Sequence, residues 1–230
     1  MPDVRPSPLA AIGKVVNRAR RRGPLEVTRL GVQRAAEWFS SGDTLVMFVR
    51  DAGGDPPTKS SFEFRAANSN DAESYARWIA TDSERTFLGR LSESTRCFVV
   101  TDDGRLVHAS WVTTAAAWTR ELRRYLIPPG GDAYVYESFT RAEVRGRGIY
   151  PFALQSIAAW MGREGAARLW VAVEEDNAPS LRAVTKGRFE RGFELPYRRR
   201  LGKVTVASAT GPRAEIASLF LSVKSHRSAL

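Results

Sequence analysis

The chain has 230 residues, enough for one large domain or for one domain with an elaborated terminus, and its 43% hydrophobic share and six tryptophans can supply a core. No apolar run approaches the roughly 18 residues of a membrane span. The formal charge of +10 sits on the ends: residues 1–50 hold 9 basic and 4 acidic side chains (net +5), residues 51–195 hold 19 and 20 (net −1), and residues 196–230 hold 7 and 1 (net +6).

Basic ends suit an anionic partner, lipid headgroup or nucleic acid, or are simply a solvated surface. Cys97 is the single cysteine, which excludes an internal disulfide. Its setting, Arg96-Cys97-Phe98-Val99-Val100, reads as a buried strand in which the thiol packs as a small hydrophobe. His108 and His226 are too few and too far apart for a zinc site, so no metal is expected. The apolar stretch Leu9 to Val16 is short and broken by Gly13 and Lys14, unlike the core of a signal peptide, so the expected location is reducing and cytoplasmic.

In chain order, residues 1–8 hold three prolines and are expected to lack structure. Leu9 to Arg22 reads as a short basic helix ended by Gly23-Pro24, and Pro24 to Phe39 as a second helix. Thr44 to Val49 reads as a strand, and Asp51 to Ser60, with Gly53-Gly54 and Pro56-Pro57, as a linker. The expected division is therefore a basic N-terminal extension over 1–60, a domain over 61–206 and a basic tail over 207–230.

Beyond the linker, strands and helices alternate. Ser61 to Ala66 is a predicted strand, and Ser69-Asn70-Asp71 can cap a helix running to about Ile79. Thr95 to Thr101 and Leu106 to Thr113 form two strands about the turn Asp102-Asp103-Gly104. Alanine-rich 115–126 reads as helix, stopped by Pro128 to Gly131, and Ala133 to Thr140 as a strand. A helix is expected from about Tyr150 to Glu164, a strand over Arg168 to Glu174, and a helix over Pro179 to Lys186. Two strands over 189–206 and a helix around Glu215 to Val223 complete the chain.

The stretch that carries chemistry is Val144-Arg145-Gly146-Arg147-Gly148-Ile149, between a strand and a helix. Glycines let the backbone turn tightly and approach a ligand, and free N–H groups at a helix start favour a phosphate. Arg145 and Arg147 add positive charge, so the segment reads as an anion-binding turn. It lacks both the Gly-Lys-Ser/Thr of a Walker A loop and the glycine spacing of dinucleotide folds.

This segment resembles the signature of the GNAT superfamily of N-acyltransferases: Arg or Gln, two residues, Gly, one residue, then Gly or Ala. Arg145 to Tyr150 fill it, with Tyr150 in place of the small final residue. Asn177-Ala178-Pro179-Ser180-Leu181-Arg182 is similar to the Asn and Ser element that opens the family's next helix, and Lys186 and Phe189 echo its closing motif. The resemblance covers about residues 61–203. It implies a mixed α/β fold with a mostly antiparallel twisted sheet, helices on both faces and a V-shaped splay between two central parallel strands.

It also implies acetyl-CoA or another acyl-CoA as co-substrate. The pyrophosphate would rest on the amides of Arg145, Gly146, Arg147, Gly148, Ile149 and Tyr150, and the pantetheine arm would pair near Phe139 and Thr140. A backbone N–H there would stabilise the thioester oxyanion, and Asn177 and Ser180 would line the far side of the arm. Asn177 is equally suited to cap a helix.

Acyl transfer needs a base for the amine and an acid for the leaving thiolate. Asp132 aligns with the catalytic glutamate of some histone acetyltransferases, and Glu137 lies on the same strand, expected to point away from the face of Tyr136 and Ser138. Both are candidate bases, and a water relay is an alternative. The position where many members carry an acidic tyrosine is Val184 here, leaving Tyr150, with Tyr136 and Tyr197, as candidate acids. His108 is a packed strand residue or an acceptor contact; Trp111 and Trp118 are core residues or pocket walls.

The reading that follows is transfer of an acyl group, most simply acetyl, to an amine by direct attack. The acceptor is a small-molecule, peptide or glycan amine, met by the first helices, the 115–126 region and the strands near 197. Two alternatives stand beside it. One is a longer acyl donor with a glycan or lipid-linked amine at a membrane surface, docked through the basic ends. The other is a degenerate binding module whose basic ends engage nucleic acid, although no nucleic-acid motif is present.

Overall fold

The computed structural model describes residues 40–57, 61–79, 82–201 and 203–221. The two helices expected over 9–39 lie outside the described residues, as does most of the basic character of the two ends. By its internal contacts the chain forms two units, 1–42 with 198–205, and 43–197 with 206–230. In the smaller unit, strand β10 (Lys203–Val206) lies beside the end of β9 (Glu190–Arg200).

The larger unit is built on a sheet whose strands run β9-β1-β8-β7-β4-β3-β2. These are β1 (Ser40–Asp51), β2 (Glu63–Ala66), β3 (Thr95–Asp102), β4 (Arg105–Thr113), β7 (Ala133–Thr140) and β8 (Arg168–Glu174) together with β9. Neighbouring pairs β1–β8, β2–β3, β3–β4 and β4–β7 are antiparallel, and β7–β8 is parallel. The fold is thus the mixed, mostly antiparallel α/β architecture that the sequence led us to expect.

Helices cover both faces because the strands alternate their apolar side chains. On one face, Phe48, Val112, Val135, Leu169, Val171 and Val173 pack against helix α3 (Ile149–Arg163) and helix α4 (Ala178–Lys186). On the other, Cys97, Val99, Ala109 and Trp111 pack against α1 (Ala72–Trp78) and α2 (Glu84–Arg90). Cys97 is fully buried there, and burial pushes its thiol pKa well up, which fits a packing role. Helix α5 (Ala217–Leu221) sends Phe220 into an aromatic group with Trp170 and Phe193.

Local chemistry explains the element ends. Asn68 caps a short 3-10 turn, with its side chain accepting the Asn70 N–H and Asp71 accepting the Asn68 N–H, and α1 follows. Ser83 caps α2 through the Thr86 N–H, a helix that sequence reasoning passed over. Asp103 and Gly104 both take positive φ (49° and 72°) in the β3–β4 hairpin, as a tight two-residue turn requires. The start of the presumed linker is docked: Gly53 N–H donates to Ala158 O at 2.8 Å, and a Cβ on Gly162 would lie 2.4 Å from the Gly53 Cα.

One expectation is corrected. Residues 115–126 form a hairpin, β5 (Ala117–Thr119) and β6 (Arg124–Leu126), rather than a helix. Alanines fill only 115–117, whereas Trp118, Thr119 and Tyr125 favour extended backbone, and Trp118 pairs across the strands with Tyr125. Arg123 supplies the turn at φ 51°. Among the described residues no helix is long and apolar enough to cross a membrane.

Candidate functional site

The site is centred where β7 and β8 part. Their parallel ladder pairs Ala133–Val135 with Leu169–Val171, yet β7 runs on to Thr140 and β8 to Glu174. A β-bulge in β7 lies just past the last pair. Trp111 of β4 opposes Tyr136 and Ala109 opposes Phe139, so Glu137 and Ser138 together face Ser110. Glu137 takes φ 47°, a left-handed conformation that strains a non-glycine residue by about 1–2 kcal/mol.

The bulge overturns the simple alternation expected for this strand. Tyr136 and Phe139 face Trp111 and helix α2, while Ser138 and Thr140 turn to the α3 face and meet β4 there. Tyr136 and Ser138 therefore lie on opposite faces. The Glu137 carboxylate reaches back to Arg90 at 2.7 Å, and that guanidinium sits 4.0 Å over the Trp111 ring and 5.3 Å over the Tyr136 ring. Arg90 also pairs with Asp82 at 3.2 Å.

Past Thr140 the chain makes a 3-10 turn over Ala142–Val144 and then the glycine turn. Gly146 and Gly148 take φ 83° and 79°, conformations in which glycine carries no Cβ penalty. Gly148 is the N-cap of α3 and has no side chain to satisfy the first amides of the helix. The first intrahelical bond runs from Phe152 N–H to Gly148 O, so the N–H groups ahead of it precede the helical ladder. Arg145 is exposed and donates from Nε to Thr140 O at 3.2 Å. Arg147 bonds Asp102 at 2.6 Å and so ties the glycine turn to the β3–β4 hairpin. The Ile149 side chain is buried beside Phe152, which leaves only its backbone for a ligand.

Under this turn lies a buried polar chain. His108 Nδ1 is 2.7 Å from Thr140 Oγ1, His108 Nε2 is 2.8 Å from Ser110 Oγ, and Ser110 Oγ is 2.7 Å from Ser138 Oγ. The Tyr150 ring stacks on His108 at 5.4 Å. Burial drives the His108 pKa down to about 3, so the imidazole is neutral, and pushes the Tyr150 phenol up to about 12 against the opposing pull of Ser138.

The remaining sequence candidates divide. Asp132 is buried, with Trp170 Nε1 donating to it at 2.7 Å and Arg168 Nε at 3.1 Å, so its oxygens hold β7 against β8 at their paired end. Asn177 accepts the Ser180 N–H at 3.2 Å and caps α4. Val184 is fully buried in the core with Leu154 and Phe189, and Trp111 is fully buried with its Nε1–H donating to Tyr75. Trp118 is half exposed beside Tyr125. Tyr197 donates to Glu174 at 2.9 Å, and burial raises the Glu174 pKa.

Sequence reasoning missed Arg90, Ser110 and Ser138. Ser83 before Glu84 was a readable helix start. His108 and Ser110, two polar residues two apart within Leu106 to Val112, were a readable sign of a polar strip on one strand face. Among the described residues no group of three or more His, Cys, Asp or Glu side chains is placed to hold a metal.

The model of the acetyltransferase (GNAT) family matches residues 62–187, more than half of the chain. The chain belongs to the acetyltransferase (GNAT) family. No curated protein matches it by sequence. Among solved structures, a GCN5-related N-acetyltransferase from Sphaerobacter thermophilus is 15% identical with a TM-score of 0.50, covering 79% of this chain and 58% of that one. A GNAT-family protein from Novosphingobium aromaticivorans is 18% identical with a TM-score of 0.49, covering 68% and 63%. The chain thus spans less than two thirds of the length of either. At such identities the likeness concerns the fold alone.

Proposed function

We propose that this GNAT chain is a coenzyme A-dependent N-acyltransferase that moves an acyl group, most simply acetyl, to an amine by direct attack. One observation carries the reading: the ladder between β7 and β8 ends at Val135 and Val171 while both strands continue, beside a glycine turn that opens α3. A pantetheine arm can take up the edge so opened, near Phe139 and Thr140. The amides of Arg145 to Tyr150 suit the pyrophosphate, with Arg145 adding charge. Asn177 and Ser180, at the start of α4, would face the arm from the β8 side.

In the reaction, the amine nitrogen attacks the thioester carbonyl carbon, the C–S bond breaks, and the thiolate receives a proton. Glu137 suits the base role, since its side chain is 45% exposed at the bulge, beside the strand edge opened past Val135. Asp132, engaged by Arg168 and Trp170, has a structural role in this reading. Tyr150 suits the acid role: its phenol stays protonated at neutral pH and stands on the first turn of α3. Glu137 and Glu174, near the diverging ends of the two strands, favour a cationic acceptor. The acceptor class is a small-molecule, peptide or glycan amine.

Calorimetric titration of acetyl-CoA tests the reading. Micromolar-range binding is expected, and a Gly148→Trp variant, which strains the left-handed cap and fills the cradle, should lose it while keeping its circular dichroism. No binding by the folded native protein would overturn the assignment.

A further inference from the structure

We infer that His108 and Ser110 are positioning residues that fix the bulged end of β7 as the edge against which a thioester carbonyl is polarised. The inference rests on the reading of that edge, near Phe139 and Thr140, as the seat of the acyl-CoA arm. Neither side chain touches the reacting atoms; both act through β7.

The bulge removes main-chain support where the proposed site needs it. The β4–β7 register passes from Ala109 opposite Phe139 to Trp111 opposite Tyr136, and it leaves Ser110, Glu137 and Ser138 outside the ladder. On the other side, the β7–β8 ladder has already ended at Val135 and Val171. The stretch from Tyr136 to Thr140 is therefore held within the sheet from the β4 side. Three side-chain contacts span this gap. Ser110 Oγ lies 2.7 Å from Ser138 Oγ at the bulge itself, and His108 Nδ1 lies 2.7 Å from Thr140 Oγ1 at the next pair. His108 Nε2 joins the two links, 2.8 Å from Ser110 Oγ along β4. Ser138 and Thr140 flank Phe139, so holding both hydroxyls fixes the two planar peptide groups about that residue.

Burial stiffens the strip. His108 and Ser110 are 1% and 0% exposed, so these hydrogen bonds form away from competing water, and an unmade one would be costly. The neutral imidazole has one N–H and one bare nitrogen, so it donates to one hydroxyl and accepts from the other. From the first turn of α3, the Tyr150 ring stacks on the same imidazole at 5.4 Å and 29°. His108 thus touches both halves of the proposed site, the β7 edge and the helix that the glycine turn opens. Placement matters because a backbone N–H stabilises an oxyanion from about 2.7–3.1 Å, and a misplacement of about 1 Å forfeits much of the effect.

The test is the carbonyl stretch of acetyl-CoA labelled with 13C at the thioester carbon, read by isotope-edited infrared spectroscopy on the full chain. In wild type the band should move to lower frequency on binding, because a donated hydrogen bond weakens the C=O bond. Ser110→Ala cuts the strip at the bulge, and His108→Leu removes both bonds of the imidazole. Calorimetry should show each variant binding acetyl-CoA within about fivefold of wild type, while the downward shift of the band is lost. His108→Gln, whose amide offers a donor and an acceptor, should restore part of the shift. Should His108→Leu fail to fold, Ser110→Ala decides alone. A wild-type shift in either folded variant would overturn the inference, as would binding of the labelled thioester by wild type with no shift. Equal loss of acetyl-CoA and free CoA affinity in Ser110→Ala would also overturn it, since the strip would then support the whole site and not the carbonyl edge. Failure of wild type to bind acetyl-CoA would instead overturn the parent reading.

Discussion

Arg90 donates to the Glu137 carboxylate at 2.7 Å across 47 residues of sequence, and so fastens the end of helix α2 to the strained bulge of β7. The guanidinium lies 4.0 Å over the Trp111 ring while it also bonds Asp82, a combination of contacts that a lysine cannot copy.

Arg90→Ala should therefore act on both stability and site geometry. Loss of two partly exposed ion pairs and of the ring contact is expected to cost about 1–2 kcal/mol, measured by urea denaturation. Acyl transfer should fall further than stability accounts for, and Arg90→Lys should recover only part of it.

Glu137→Gln keeps the shape of the bulge residue and removes its capacity to take a proton. Acetyl-CoA affinity should stay within about twofold, while transfer to an amine falls about 100-fold or more. A transfer rate near wild type would move the base role to water.

Tyr150→Phe removes the phenol without emptying the space beside His108. Thiol release from bound acetyl-CoA is expected to slow at least about tenfold, with affinity little changed. Rapid-quench measurement of a single turnover separates this from slow product release.

Asp132→Ala should destabilise the protein by about 2–4 kcal/mol, because it strips partners from a buried indole N–H and from Arg168. Acetyl-CoA binding measured well below the melting temperature should persist. A variant that is stable but inactive would return Asp132 to the list of bases.

Stability should decline as pH falls from about 6.5. In the fold, burial holds the His108 pKa down at about 3, whereas the unfolded chain takes up this proton near 6.5. The unfolded state therefore binds more protons between those values. The contribution is fully present above 6.5 and is lost toward pH 3, by at most about 1.4 kcal/mol per pH unit. Asp71 behaves alike at lower pH: burial raises its carboxyl, but Arg65 and the Asn68 N–H outweigh this and hold it below its ordinary value. Its loss begins only near pH 4. Urea denaturation at pH 5, 6 and 7 should show the first slope in wild type and a flatter one in His108→Gln.

What the sequence determined by itself is what depends on neighbours along the chain. Gly146 and Gly148 mark positive φ before a helix, Asp103-Gly104 marks a tight hairpin, and short apolar, β-favouring runs mark β3, β4, β7 and β8; each is a local signal. The Asn177 cap and the order of the two family elements belong to the same class. The tertiary structure alone decided which face Ser138 and Thr140 present, because the bulge at Glu137 arises from the register of β7 against β4, about 28 residues away. It also decided that 115–126 is a hairpin, through the Trp118–Tyr125 pair, and that Asp132 is a buried brace rather than a free carboxylate. Arg90 on Trp111, and His108 between Thr140 and Ser110, are made by strands and helices meeting from distant parts of the chain. No local periodicity encodes such a meeting, since its energy comes from burial and hydrogen bonding that exist only once the sheet has closed.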